Sequence, residues 1–309
     1  MIGRLIGTTM LQASTEAAGA AQVVQEEQAA QFDIKEMILH HLVDSSSWET
    51  PFGVVQLPQF PPVHLGPITL DFSITVHVLF MFIAATLVAL LLIFAARAAK
   101  REHEAGAERG PKGAANVIEA IVLFVRDEIA MKNIGHGGER YVPYIVTAFF
   151  FILFCNMLGL LPWGASPTGN ISVTAALAVL TFITVEFAGM RALGAKGYLH
   201  TIFYAPPGVP GFMKLPMYLI MTPVEFLGKL AKPFALAIRL FANMTAGHAV
   251  VLALTGMLVT AAYANALYVA PAPIIMGVAI MLLEIFVALL QAYIFAMLSA
   301  VFIGLIRAH

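Results

Sequence analysis

Between Pro233 and His248 the chain reads PFALAIRLFANMTAGH, an apolar helical stretch with Arg239 in its middle. Asn243 follows one turn later, and His248 comes nine residues after the arginine. A guanidinium keeps its proton at any pH a cell reaches. At bilayer depth it costs from about 2.5 to more than 10 kcal/mol, depending on the reference. A helix that holds such a charge must turn it toward another protein, a carboxylate or a water-filled cavity. Every ionisable group nearby therefore becomes a candidate partner.

The composition makes a bilayer the setting. Of the 309 residues 60% are hydrophobic and only 11% are charged, against about 25% charged in ordinary soluble domains. A net charge of −1 and the lack of a basic patch argue against a nucleic-acid partner. The single cysteine, Cys155, excludes a disulfide within the chain. Gly189 to Lys196 (GMRALGAK) has the outline of a phosphate-binding loop but ends without Gly-Lys-Ser/Thr, and neither HExxH nor GxSxG occurs. Nucleotide chemistry and peptide hydrolysis are not expected of this chain alone. Neither a metal nor a cofactor is expected.

Residues 1–70 are the least membrane-like and form an expected outer extension, with 71–309 as the membrane domain. Met1–Leu11 is a candidate cleaved leader whose apolar run is interrupted by Gly7, Thr8 and Thr9. Gln22–Val43 reads as an amphipathic helix, and Pro51–Pro67 as loop or short strand. Residues 72–94 are an apolar span whose one ionisable group is His77. Arg97, Lys100, Arg101, Arg109 and Lys112 follow it. That cluster marks the cytoplasmic side (or its organellar equivalent) and places the N-terminus outside. Residues 114–131 carry Glu119, Arg126, Asp127 and Glu128 among apolar positions and read as an amphipathic helix on the inner surface.

Further spans are expected at 141–161, 171–190, 218–260 and 274–306. The loop joining the second and third carries no charge, whereas Arg191, Lys196 and Lys214 mark a return inside through a Gly/Pro-rich loop, 194–216. The C-terminus, Arg307-Ala308-His309, falls inside. At about 1.5 Å per residue the last two runs reach roughly 65 and 50 Å, against a hydrocarbon core near 30 Å. They must tilt, break (Pro233 and Gly247 are candidate points) or begin outside the core. The fold class is thus an all-α membrane protein with five membrane-embedded helices and one amphipathic surface helix, the last two long and tilted as a hairpin.

At about 100° per residue, Glu225, Lys229, Lys232, Arg239 and Asn243 share one stripe, and His248 projects nearly opposite Arg239. Glu284 and Gln291 share a face of the last helix. Each has a bland reading. Arg239 could be a structural partner of Glu284 or Glu225. His248 could be a neutral histidine bonded to a carbonyl. Asn243 and Gln291 are explained equally well by interhelical amide bonds. Glu284 is harder to dismiss, since an unpaired buried carboxylate is costly. His77, Asn156 and Glu186 read as structural or interfacial. A rotor-free transporter usually shows repeated halves with paired broken helices, and none is visible here. A purely structural membrane subunit is argued against by a core arginine.

At these residues the chain resembles the a subunit of F-type ATP synthases, the membrane stator of a rotary motor. The resemblance is carried by LAIRLFANMTAGH around Arg239, LLEIFVALLQAYIFAML around Glu284 and Gln291, and FCNMLGLLPWGASPTGNISVTAALA at 154–178, with a weaker match in MILHHLVD. It covers roughly residues 36–309. It implies one span, a surface helix, a two-helix hairpin and two long tilted helices, in a bacterial plasma membrane. As partners it implies a ring of c subunits, b-type peripheral stalk subunits and the remainder of the synthase. It implies a proton-conducting role in ATP synthesis, with inlet and outlet half-channels at the ring. Arg239 matches the essential arginine that separates them and faces the ring carboxylate. His248 and Glu284 match an interacting ionisable pair on the inlet path, in the arrangement typical of mitochondrial members. Glu225 matches an acid near the outlet, and Asn243 and Gln291 are placed along the proton path. Where some members carry acids after Asn156, this chain has Gly159 and Gly164.

Overall fold

A run of apolar residues longer than the bilayer is thick can satisfy its backbone only as helix, and five helices here are long and apolar enough to cross a membrane. The structure is a computed structural model that describes residues 44–50, 52–65, 68–70, 73–104, 113–161, 163–202, 211–263, 268 and 270–308. The leader-like Met1–Leu11, nearly all of MILHHLVD, the expected helix Gln22–Val43, and Arg109 and Lys112 of the basic cluster lie outside those residues. Two antiparallel hairpins come first: β1 (Ser47–Thr50) with β2 (Gly53–Gln56), and β3 (Val63–Leu65) with β4 (Ile68–Leu70). The helices are α1 (Val76–Glu104), α2 (Ala114–Phe124), α3 (Val142–Gly159), α4 (Ile171–Ile202), α5 (Gly211–Tyr263) and α6 (Pro271–Ala308). With five membrane-length helices, the chain is an all-α membrane protein.

The chain divides into two compact units. One is Asp44–Met244 with Ile285–His309, and the described part of the other is Thr245–Glu284. In the larger unit α3 runs through the centre, with Ile145, Phe149 and Ile152 buried. Ala288, Ala292, Ala296 and Ala300 form a buried stripe on α6 at i, i+4 spacing. Small side chains in such a stripe let backbones approach closely, which is how helices gain contact when lipid is as apolar as their own surface. Beyond Phe124, α2 widens into a π-helix, Val125–Met131, and closes with one α turn, Lys132–Ile134. Val125 and Ile129 are fully buried there, while Arg126, Asp127 and Glu128 face out. Gly304 of α6 lies so close to the Asn133 carbonyl that a side chain would not fit.

Two sequence expectations are corrected. The segment after residue 194 is not wholly loop: α4 bends at Gly194, whose φ of 70° only glycine adopts cheaply, and resumes as helix to Ile202. α5 then begins at Gly211, ahead of the expected start. Neither Pro233 nor Gly247 breaks α5, which is continuous over 53 residues, as α6 is over 38. At about 1.5 Å per residue these helices are roughly 80 and 57 Å long.

The segment before α1 and the turn between α3 and α4 are fastened to the bundle by polar contacts that hydropathy does not announce. The Trp48 indole donates to the Trp163 carbonyl at 2.8 Å, and its ring meets Phe80 edge-on. Asp44 sits 2.7 Å from Nδ1 of His77 and accepts from the Asn170 amide at 3.1 Å. Burial pushes the Asp44 carboxyl up, but the hydrogen bond and charge of His77, with the Thr75 hydroxyl and the His77 backbone N–H, hold it below the usual carboxylate range. A carboxyl depressed in the folded state stabilises it above the unfolded value and loses that contribution as pH falls through the folded one. The Asp44 contribution is therefore present at neutral pH and lost on acidification.

Candidate functional site

α5 is anchored by one face and bare on the other. Leu236 and Leu240 are 1% exposed and Ala237 5%, all in the larger unit's core. Those three fix the helix's rotation, so that Arg239, Lys232, Ala235, Ala242 and Asn243 face outward. Arg239 forms no ion pair among the described residues. A guanidinium exposed on a helix long and apolar enough to cross a membrane is a costly charge that a carboxylate would offset.

Beside it, Asn243 of α5 donates through Nδ2 to Oε1 of Gln291 on α6 at 3.0 Å. Gln291 is 3% exposed, and its Nε2 is buried with no acceptor among the described residues. An interhelical amide bond, the bland reading of these two residues, is what the geometry displays.

In the smaller unit His248 of α5 meets Glu284 of α6, Nδ1 to Oε1 at 3.7 Å, with side chains 25% and 11% exposed. That is too long for a direct hydrogen bond and within reach of an ion pair or a single bridging water. Gly247 makes the approach feasible. A Cβ at that position would run into the Glu284 carboxylate, so the glycine proposed as a break point instead clears space for the acid.

Glu225 belongs to another constellation. It lines a cavity of about 360 Å³ with Lys229 and Lys232 of α5, Glu186 and Thr201 of α4, and Phe302 of α6. Lys229 donates to the Thr201 hydroxyl at 3.0 Å and lies 4.8 Å over the Tyr198 ring. Lys232 lies 5.5 Å over Phe302. The lysine ammonium groups thus sit over aromatic rings at the cavity.

The turn between α3 and α4 is tied by a buried polar chain. Thr168 donates to Oδ1 of Asn156 at 2.6 Å, Ser166 and Thr168 share a bond of 2.8 Å, and Asn156 donates to the Ala288 carbonyl at 3.4 Å. Gly159 lies under this turn, where a Cβ would meet Ser166 and, at 2.7 Å, Met244. An acid at 159 would have to displace the turn, which gives a packing reason for glycine there.

A family model for the ATP synthase A chain matches residues 78–304. The chain belongs to the ATP synthase A chain family. It is 45% identical over 286 residues to "ATP synthase subunit a 2" of Chlorobaculum tepidum, an alignment covering 91% of this chain and 76% of that protein. It is 43% identical over 272 residues to ATP synthase subunit a of Chloroherpeton thalassium, covering 88% and 76%. To the subunit a of an Anaeromyxobacter strain it is 48% identical over 248 residues, covering 79% of this chain and 57% of that one. Glu225, Arg239, Asn243, His248, Glu284 and Gln291 all fall inside the segment matched to the A chain family, whereas Asp44 and both hairpins lie before it. Sequence reasoning missed Gly247 and discounted Glu186. Gly247 follows from its place beside His248 only when Glu284 is known to be opposite.

Proposed function

We propose that this chain is the proton-conducting stator of the membrane sector of an F-type ATP synthase. The observation that carries the reading is the outward-facing Arg239 on a helix whose opposite face is locked into the core. A ring of c subunits, each bringing a carboxylate, passes along that face. The fixed charge lowers the pKa of a carboxyl brought beside it by about 1–3 pH units, so each ring site releases its proton before moving on. The charge also repels a proton that would cross directly between the half-channels. His248 and Glu284 line the inlet, and Glu225 stands at the outlet. Asn243 and Gln291 lie along the same path. Flow down the gradient supplies about 2.3 kcal/mol per proton for each 100 mV, which rotation delivers to ATP synthesis elsewhere in the complex.

The chain itself catalyses no bond-making. It sits in a bacterial plasma membrane with its N-terminus outside and its C-terminus in the cytoplasm, and residues 1–70 form an outer extension. The helix at 114–131 lies on the inner surface. b-type peripheral stalk subunits hold it against the torque of the ring. The unpartnered charge on a helix face separates this reading from a rotor-free transporter, whose intramembrane charges would be closed off within its own chain. Purification in mild detergent through a tag on this chain tests the reading. A small two-helix proteolipid and the stalk subunits should come with it in one gel, and a chain that purifies alone and still moves an ion or solute in vesicles would overturn it.

A further inference from the structure

The cavity between α4, α5 and α6 holds more ionisable groups than the proposed outlet requires. Besides Glu225 it contains Glu186, which the sequence reading set aside as structural. Its Oε2 is buried and accepts no hydrogen bond among the described residues. No ion pair joins it to Lys229 or Lys232 within 4 Å, although both line the same space. A strut carboxylate would be expected to hold one of them. The space, at about 360 Å³, is many times what one water needs.

We propose that this cavity is the inner vestibule of the outlet and that Glu186 is a second proton carrier in it, acting with Glu225. The inference rests on the outlet reading above. A proton leaving a ring carboxyl passes to water in the cavity and then to the Glu186 carboxylate. Glu186 returns it to water at the cytoplasmic side, regaining its own charge, so no other reactant is consumed. Lys229 and Lys232 put positive charge at the cavity and keep free cations out. Phe182 and Pro233, which border this cavity and the fully apolar groove beside it, close the path on the lipid side.

The test is proton pumping and passive proton flux through the whole complex in inverted vesicles, with assembly followed on native gels. Glu186→Gln should assemble and slow both by about tenfold, less than a sole acid–base group contributes because Glu225 works in parallel. Glu186→Asp should recover most of the rate. A structural role predicts the reverse, since glutamine preserves shape and bonding while aspartate shortens the side chain. Should Glu186→Gln assemble poorly, Val185→Cys in a Cys155→Ser background decides. A wet vestibule lets a water-soluble thiol reagent from the inner side modify it and block flux, and no modification refutes the vestibule. Parental flux in Glu186→Gln with slowed flux in Glu225→Gln sinks the role of Glu186 and leaves the outlet reading intact. Parental flux in both removes the outlet from this cavity.

Discussion

Arg239→Ala is expected to abolish proton-driven ATP synthesis while the complex still assembles. The side chain is exposed on α5, and the packing of that helix rests on Leu236, Ala237 and Leu240, so its removal costs no core contact. What disappears is the fixed charge, and with it the barrier between half-channels, so passive proton leak should rise. Arg239→Lys is the sharper variant. A lysine keeps the charge as a point and can lose its proton beside other groups, and it lacks the planar fork that meets a carboxylate through two parallel bonds. Synthesis in the lysine variant should stay near background. Synthesis at the parental rate in Arg239→Lys would contradict the separator role.

The second large effect is expected at the inlet. At 3.7 Å, His248 and Glu284 can pass a proton through one water. A static pair that only fixes α5 against α6 is the competing account. His248→Gln distinguishes them, because glutamine keeps a hydrogen-bonding group and loses the titrating one. A relay predicts pumping slowed by about tenfold or more, with an altered profile between about pH 6 and pH 9. Combining His248→Glu with Glu284→His should recover more activity than either single exchange. Gly247→Ala should imitate the defect without touching either group, since its methyl would push the Glu284 carboxylate aside. An unchanged rate and pH profile in His248→Gln would leave only the static pair.

Much of this architecture is legible in one dimension because a bilayer simplifies the code. Long apolar runs must be helices, lysine and arginine mark one side, and an arginine inside such a run stands out by its desolvation cost. The five membrane helices and Arg239 are visible for that reason. The pairing of His248 with Glu284 could be read too, because a short turn lets residues be counted back along two antiparallel helices. Contacts that depend on distant segments could not. Nothing local to Asp44 says that it joins His77 to Asn170. Nothing local to Gly159 says that Ser166 and Met244 crowd it. The bend at Gly194 looked like the start of a loop because a single glycine reads alike whether helix resumes after it or not. Glu186 is a lone acid on its own helix, and its sharing of a cavity with Glu225 and two lysines shows only once the helices are packed.

The claim on which the rest depends is that the Arg239 face of α5 runs against a rotor of c subunits. Cross-linking measures it directly. Ala242 lies three residues from Arg239 and is exposed, whereas Leu240 is 1% exposed on the buried side. In a Cys155→Ser background, Ala242→Cys is paired with a cysteine placed beside the carboxylate of the copurified proteolipid, and the whole complex is oxidised. The account predicts a disulfide-linked product with the mass of the two chains, formed by Ala242→Cys and not by Leu240→Cys, with proton flux blocked until the bond is reduced. A complex that assembles fully yet gives no such product from Ala242→Cys, or gives it from Leu240→Cys instead, would contradict the account.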